Sequence, residues 1–436
     1  MKPSSLFALS LAIATAHTAS ANDALDILEG NKEVEDVVLP PLSEKERAAE
    51  AAKPPVFEPK VWSPSPLDPI WDRATLIDNP DDPWIQELEL IGLYQWNGSW
   101  GSVDIQGGTQ NNVDTTRTRR ARLGARMKIF GNTEVEAIGE FAGDVRHQQI
   151  ESLKAKTEVR PNYYITYGKH RPRFGLEQSK DPAKLLTPER ALLADMLTPA
   201  STLGVGVSYE SDAWSGGLGW FSGARDRYLP GLSGDGFLVA NLAYESAERL
   251  GDDEVMRSLW HLDYIFNFDG NRSRSIPRFH PSGQLSANGF QVVGPRPQFR
   301  HMLSTGVELE GDRFAFEGDF QFGHGDNLTA WGLTLTPSYW VVPERVKVVG
   351  RYHYADTNDA GGLVGGFGAG SDPFFDSSPV IIGDEFHSFY LGANVHFYQD
   401  KMVILNGLEY LLMKDEAMGG LETDGFIWHT GARISF

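Results

Sequence analysis

The sequence predicts an all-β chain: a transmembrane antiparallel up-and-down β-barrel of about 16 strands, with 18 possible, behind a largely irregular N-terminal extension. Three observations predict it. From residue 88 onward, apolar and polar residues alternate with a period of two. The connections between these runs are short and long in turn. The chain opens on a secretory leader and has no later stretch near the ~20 apolar residues that a membrane helix needs.

Lys2 supplies the positive start of the leader, Leu6 to Ala16 its apolar run, and Ala19-Ser20-Ala21 a small-residue cleavage site. Residues 1–21 therefore read as a signal peptide, with the mature chain beginning near Asn22. There is no cysteine, so neither a disulfide nor a thiolate metal site is open to an exported chain of 436 residues. No metal or cofactor motif is present, and none is expected. The formal charge is −20, and loss of the leader removes only Lys2. That balance argues against nucleic acid as a partner.

Residues 22–87 form the extension. They hold ten of the 25 prolines, and 16 acids against 6 bases. Residues 43–53, SEKERAAEAAK, suit one short helix; VWSPSPLDP and DNPDDP sustain neither helix nor strand. The segment is expected in the periplasm, with Trp62, Trp71 and Trp84 docking it on another surface.

Residues 88–436 form the barrel. Phe314, Phe316, Phe320 and Phe322 lie on one face of their run, with Arg313, Glu317, Asp319 and Gln321 on the other. Trp260, Leu262, Tyr264 and Phe266 likewise oppose His261 and Asp263. Val346, Val348, Tyr352 and Tyr354 oppose Arg345, Lys347, Arg351 and His353. Phe426, Trp428, Ile434 and Phe436 oppose His429 and Arg433. Strand centres fall near 93, 123, 138, 153, 165, 207, 218, 241, 262, 305, 318, 335, 350, 391, 407 and 431. WNGSWG (96–101) is either a bend in a long first strand or an extra turn. A soluble sandwich or propeller also alternates, but strands of ten or more residues with aromatic ends suit a lipid-facing barrel better.

RRARLGARMKIFGNTEVEAIGEFAGD (119–144) carries the clearest charge pattern. Arg120, Arg122, Arg126 and Lys128 share a face, as do Glu134, Glu136 and Glu140 after the turn. A three-residue turn at Gly131-Asn132-Thr133 would set Lys128 opposite Glu136 and Arg120 opposite Asp144. On the lipid side a cation would cost ~2–4 kcal/mol at the midplane, so the charges are expected in the lumen. Lys154 and Lys156 follow on the next strand, and Arg345, Lys347 and Arg351 form a second basic column. Two readings stay open: a salt-bridged, hydrated wall with little selectivity, or a cation track that hands anions through.

Residues 169–202 hold Lys169, His170, Arg171, Arg173, Lys180, Lys184 and Arg190, with a helical pattern from Ala183 to Met196. An apolar stripe suits a loop folded into the barrel and packed on its inner wall, narrowing the lumen. Here a resemblance enters. The 119–144 hairpin, YGKHRPRFGLEQS, TPERALL, GVGVSYES and the final Phe436 resemble the phosphate-selective porin O and P family over roughly 117–225. The resemblance implies a trimeric sixteen-stranded outer-membrane barrel of a Gram-negative-type bacterium. It implies an inward third loop and an Arg- and Lys-lined lumen that passes small anions, in some members phosphate or polyphosphate. By position, Arg119, Arg120 and Arg122 match its double-Arg strand, and Lys169, Arg171 and Arg173 its basic strand end; Pro-Arg-Phe at 172–174 departs from its usual Pro-Phe.

The expected partners are outer-membrane lipid, small anions such as phosphate, two further copies of the chain, and the barrel-assembly machinery through the strand ending at Phe436. A catalytic role is not expected: there is no G-x-S-x-G, H-E-x-x-H or P-loop, and Glu385 with His387 and His261 with Asp263 read as lumen residues. The function expected is an outer-membrane porin for passive uptake of small anions. The alternatives are a general or carbohydrate diffusion pore, and a structural anchor acting through 22–87. A sugar pore would need a lumen aromatic line, whereas most aromatics fall on the lipid face, with Tyr164 an exception.

Overall fold

In a computed structural model the chain forms a closed antiparallel ring of sixteen strands. The structure describes residues 62–105, 109–142, 149–199, 201–223, 236–250, 254–268, 284–285, 292–293, 299–325, 329–358, 362–366, 380–416 and 419–436. The expected leader, the 43–53 helix and Asp144 lie outside them.

The ring strands are β1 (Ile85–Ile105), β2 (Thr109–Ile129), β3 (Thr133–Glu140), β4 (Gln149–Arg160), β5 (Tyr163–His170), β6 (Thr202–Glu210), β7 (Trp214–Ser222) and β8 (Gly236–Leu250). The second half is β9 (Glu254–Asn267), β10 (Phe299–Glu310), β11 (Phe314–Gly325), β12 (Thr329–Val342), β13 (Val346–Thr357), β14 (Glu385–Tyr398), β15 (Met402–Asp415) and β16 (Leu421–Ser435). Each pairs with its chain neighbours, and β1 closes the ring on β16 from Leu93↔Ser435 to Asp104↔Asp424. All sixteen expected centres fall inside these strands. WNGSWG lies within β1, a single strand of 21 residues.

The two sides of the wall are chemically inverted relative to a water-soluble fold. Outward positions such as Leu391 (65% exposed), Trp260, Leu262, Val205 and Val207 are apolar and uncovered. Inward positions such as Asp263, Asp319, Arg120 and Arg351 are polar and buried. Uncovered apolar side chains all round a polar interior are stable only where lipid covers them. Outward aromatics pair across strands beside the short turns, as Tyr163 does with Tyr209 and Trp214 with Tyr244. They pair again toward the long connections, as Tyr352 does with Phe389 and Trp331 with Tyr354. These are the two belts that an interface favours.

The ends of the ring differ. At one end the turns are short and hold residues with positive φ: Phe130, Gly131, Asn162, Glu344 and Gln399. Both chain ends of the barrel, Ile85 and Ser435, lie at this turn end. A short strand, Thr75–Asp78, pairs with Glu87–Glu89 of β1, where β16 has already ended. It covers an edge that would otherwise be open. The docking expected of the tryptophans is seen for all three. Trp84 packs edge-on against Phe130; Trp71 lies 4.5 Å from Tyr398 and donates to Ser435 O at 2.6 Å; Trp62 meets Trp340 and His396.

Two local expectations need correction. The hairpin of β2 and β3 turns at Phe130-Gly131-Asn132, so Lys128 faces Glu134, Arg126 faces Glu136 and Arg122 faces Glu140. The register is two residues from the expected one. Left-handed backbone at Phe130 and Gly131 tightens the turn, and a shift of two leaves every face unchanged. The helical pattern of 183–196 is also largely absent. Only Pro182–Lys184 and Leu192–Leu197 are helical, because Pro188 interrupts the run.

Candidate functional site: the lumen and its inward loop

The connection between β5 and β6 turns into the barrel. Phe174, Leu193 and Leu197 are almost wholly buried, in one cluster with Ile265, Phe299, Met302, Ala330 and Ala355 of the inner wall. This is the packing that the apolar stripe required. A Cβ on Gly332 would meet Leu193 at 2.8 Å, and one on Gly323 would meet Leu197 at 2.8 Å, so the wall is bare where the loop lies.

Wall side chains then satisfy the loop backbone. Asp263 accepts from Gly175 N (2.9 Å) and Asp319 from Leu176 N (3.0 Å). His261 joins these two carboxylates, at 3.0 Å from Asp263 and 3.3 Å from Asp319. Arg433 donates to Ala183 O and Leu185 O, both at 2.8 Å. Asn394 donates to Leu186 O at 2.8 Å, and Gln95 to Pro188 O at 3.0 Å. Arg351 donates to Glu189 O (2.7 Å) and Thr187 Oγ1 (3.0 Å), with Glu409 at 3.2 Å. Within the loop, Glu177 accepts from Ala191 N at 2.7 Å, and Arg190 donates to Glu177 O at 3.0 Å.

A β-bulge in β2 gathers the arginines. Gln95 faces Arg120, and Trp96 faces Thr118. Arg119 is the extra residue, and the inward parity changes across it. Glu189 of the loop takes the charge: it pairs with Arg119 at 2.7 Å and accepts from Asn97 at 2.7 Å. Burial works to raise its pKa, but Arg119, Arg120 and Arg117 outweigh that and hold its carboxyl below the ordinary range. Arg117, Gln95 and Asn97 escaped the sequence reading, because without the bulge they do not align with Arg120 and Arg122.

Several cations of the expected basic track are neutralised by neighbouring carboxylates. Arg122 pairs with Glu140 (2.8 Å) and Glu151 (3.2 Å). Arg126 pairs with Glu136 (3.1 Å), Glu134 (3.6 Å) and Glu89 (3.7 Å). Lys154 reaches Glu136 at 3.3 Å, Lys156 reaches Glu210 at 2.7 Å, and Arg171 reaches Glu151 at 3.0 Å. Lys169, Arg120 and Arg351 are buried. Arg345 lies at a short turn and donates to Phe397 O. Among the described residues, Arg173 and Lys184 have no ion pair; both line a lumen cavity of about 800 Å³. Lys347 lines it too, its Nζ 4.4 Å from the Trp340 ring centre.

Other placements differ from expectation. Glu385 and His387 share the outward face with Tyr352 and Lys414, to which they bond, and do not line the lumen. Besides Tyr164, the inward aromatics include Trp340, Tyr390 and Phe386, which are buried on the inner wall.

Comparison with known proteins agrees with this geometry. Residues 95–235 match the family model of phosphate-selective porin O and P, and the resembling 117–225 stretch lies inside that span. No curated protein sequence matches the chain. Among solved structures, the anion-selective porin from Comamonas acidovorans is similar with a TM-score of 0.50 and 12% identity, over 80% of this chain and 99% of that one. OprB of Pseudomonas putida gives 0.49 and 10% identity, over 80% and 94%. The outer membrane channel DcaP of Acinetobacter baumannii gives 0.47 and 10%, over 80% and 97%. At these identities the likeness is one of fold. The family match and the sixteen-stranded barrel together support an outer-membrane channel, not an enzyme.

Proposed function

We propose that this chain, matched over 95–235 to the phosphate-selective porin O and P family, is a passive diffusion channel for small hydrophilic solutes with only a modest preference for anions. One observation carries the reading. Five cations of the first four strands, Arg119, Arg122, Arg126, Lys154 and Lys156, sit within 2.7–3.7 Å of carboxylates, so a passing ion meets a wall where much of the charge cancels. The modest anion preference rests on Arg173, Lys184 and Lys347 in the cavity below the loop. On the same reading the chain is a homotrimer, its Phe436 strand is what the assembly machinery reads, and the segment before the barrel lies in the periplasm.

The second reading, phosphate selectivity, is favoured by the family match and by those three cations. Reversal potential in a KCl gradient across a planar bilayer separates the two. A small anion bias that inorganic phosphate leaves unchanged supports the diffusion channel. Strong anion selectivity that phosphate suppresses supports the phosphate pore and defeats our reading.

A further inference from the structure

One residue lining the cavity comes from no barrel strand and from no loop between them. Trp62 belongs to the extension, yet it faces the same space as Arg173 and Lys184 of the inward loop and Lys347 of β13. We propose that Trp62 is a size-selecting residue of the pore, held across the turn-end exit by a strap made of residues 62–78. The proposal rests on the channel reading above.

The ring is held from the inner wall. Its centre lies 6.0 Å from that of Trp340, edge to face at 81°, and 6.0 Å from that of His396, stacked at 29°. The strap is pinned at successive points. Ser63 N donates to Glu344 at 3.3 Å on the β12–β13 turn. Tyr398 donates to Asp68 at 2.7 Å, and Trp71 donates to Ser435 O at 2.6 Å. Thr75–Asp78 then joins β1 as an added strand. Pro64 and Pro66 restrict the backbone between the first two anchors, so little freedom remains for Trp62 to leave the lumen. A strap serving only to dock the extension needs the Trp71 and strand contacts, which sit at the rim. It does not need a ring in the cavity. The exit width is therefore set jointly by the barrel wall and by this strap.

The test uses the full-length protein in planar bilayers. It compares single-channel conductance in KCl, and the largest polyethylene glycol that enters the pore, for wild type, Trp62→Ala and Trp62→Phe. We expect Trp62→Ala to raise conductance by about 1.5-fold or more and to admit a larger polymer, with Trp62→Phe close to wild type. Heat-modifiable migration on a gel confirms in each case that the barrel is folded. Equal conductance and polymer cutoff in Trp62→Ala and wild type overturn the proposal, as does a rise in Trp62→Phe equal to that in Trp62→Ala. Folded barrels that carry no current in any form overturn the channel reading itself, and this inference falls with it.

Discussion

Arg351 of β13 donates to the backbone carbonyl of Glu189 at 2.7 Å, while the Glu189 carboxylate pairs with Arg119 of β2 at 2.7 Å. One residue of the inward loop is thus gripped from two widely separated walls of the ring. The cation that sequence spacing marked for ions in transit holds the constriction in place.

Arg351→Ala should therefore widen the pore and not simply weaken anion binding. It takes one donor from Glu409, which keeps His429 and Ser388, and one from each of two loop acceptors; breaking a buried pair from one side costs up to about 3–5 kcal/mol. The expected outcome is a higher single-channel conductance together with a lower urea midpoint for loss of heat-modifiable migration. Unchanged conductance would show that the remaining anchors suffice.

Arg122→Ala should shift selectivity toward cations. Glu140 and Glu151 lie 2.8 and 3.2 Å from its guanidinium, and removing it leaves Glu140 without that ion pair and Glu151 to Arg171. We expect a roughly twofold change in the permeability ratio, read as a reversal potential. A fall in conductance with no change in that ratio would speak against a neutralised wall.

Gly175→Ala should displace the start of the inward loop. Its φ is +74°, and an added Cβ would come within 2.4 Å of Gln321 Nε2 and 3.1 Å of Asp319 Oδ2. Strain of this kind costs on the order of 1–3 kcal/mol, and relief requires the loop to give up its bonds to Asp263 and Asp319. Faster protease cleavage within 171–201 in the folded protein is the readout.

Leu391→Arg tests the membrane face. Leu391 points outward from β14 and is 65% exposed. In lipid the substitution should cost about 2–4 kcal/mol, measured by folding into bilayers; on a water-facing wall it would be nearly neutral.

The strap should loosen in acid. The Ser65 N–H and then the Tyr398 hydroxyl hold the Asp68 carboxyl below its ordinary value. A carboxyl whose folded value is depressed stabilises fully above its unfolded value of ~3.9, and that contribution fades as pH falls through the lowered folded value. Trp71 release, followed by fluorescence in a protein with Trp62 and Trp84 replaced by Phe, should begin only in that range. Asp68→Asn should remove the pH dependence.

The alternation of Trp260, Leu262 and Tyr264 with His261 and Asp263 was enough to determine strand, face and environment, because period-two patterning is written locally in the chain. The same holds for the sixteen centres and for the inward packing of Leu193. What the pattern could not carry is anything unchanged by a slip of two residues, or anything joining distant segments. The Arg122↔Glu140 register belongs to the first kind: a shift of two preserves every face, and the backbone at Phe130 and Gly131 decided it. The bulge at Arg119, Arg351 on Glu189 and Trp62 against Trp340 belong to the second. Those contacts exist only once the ring has closed, when residues far apart in sequence share a few ångströms of lumen and each buried charge must find a partner there.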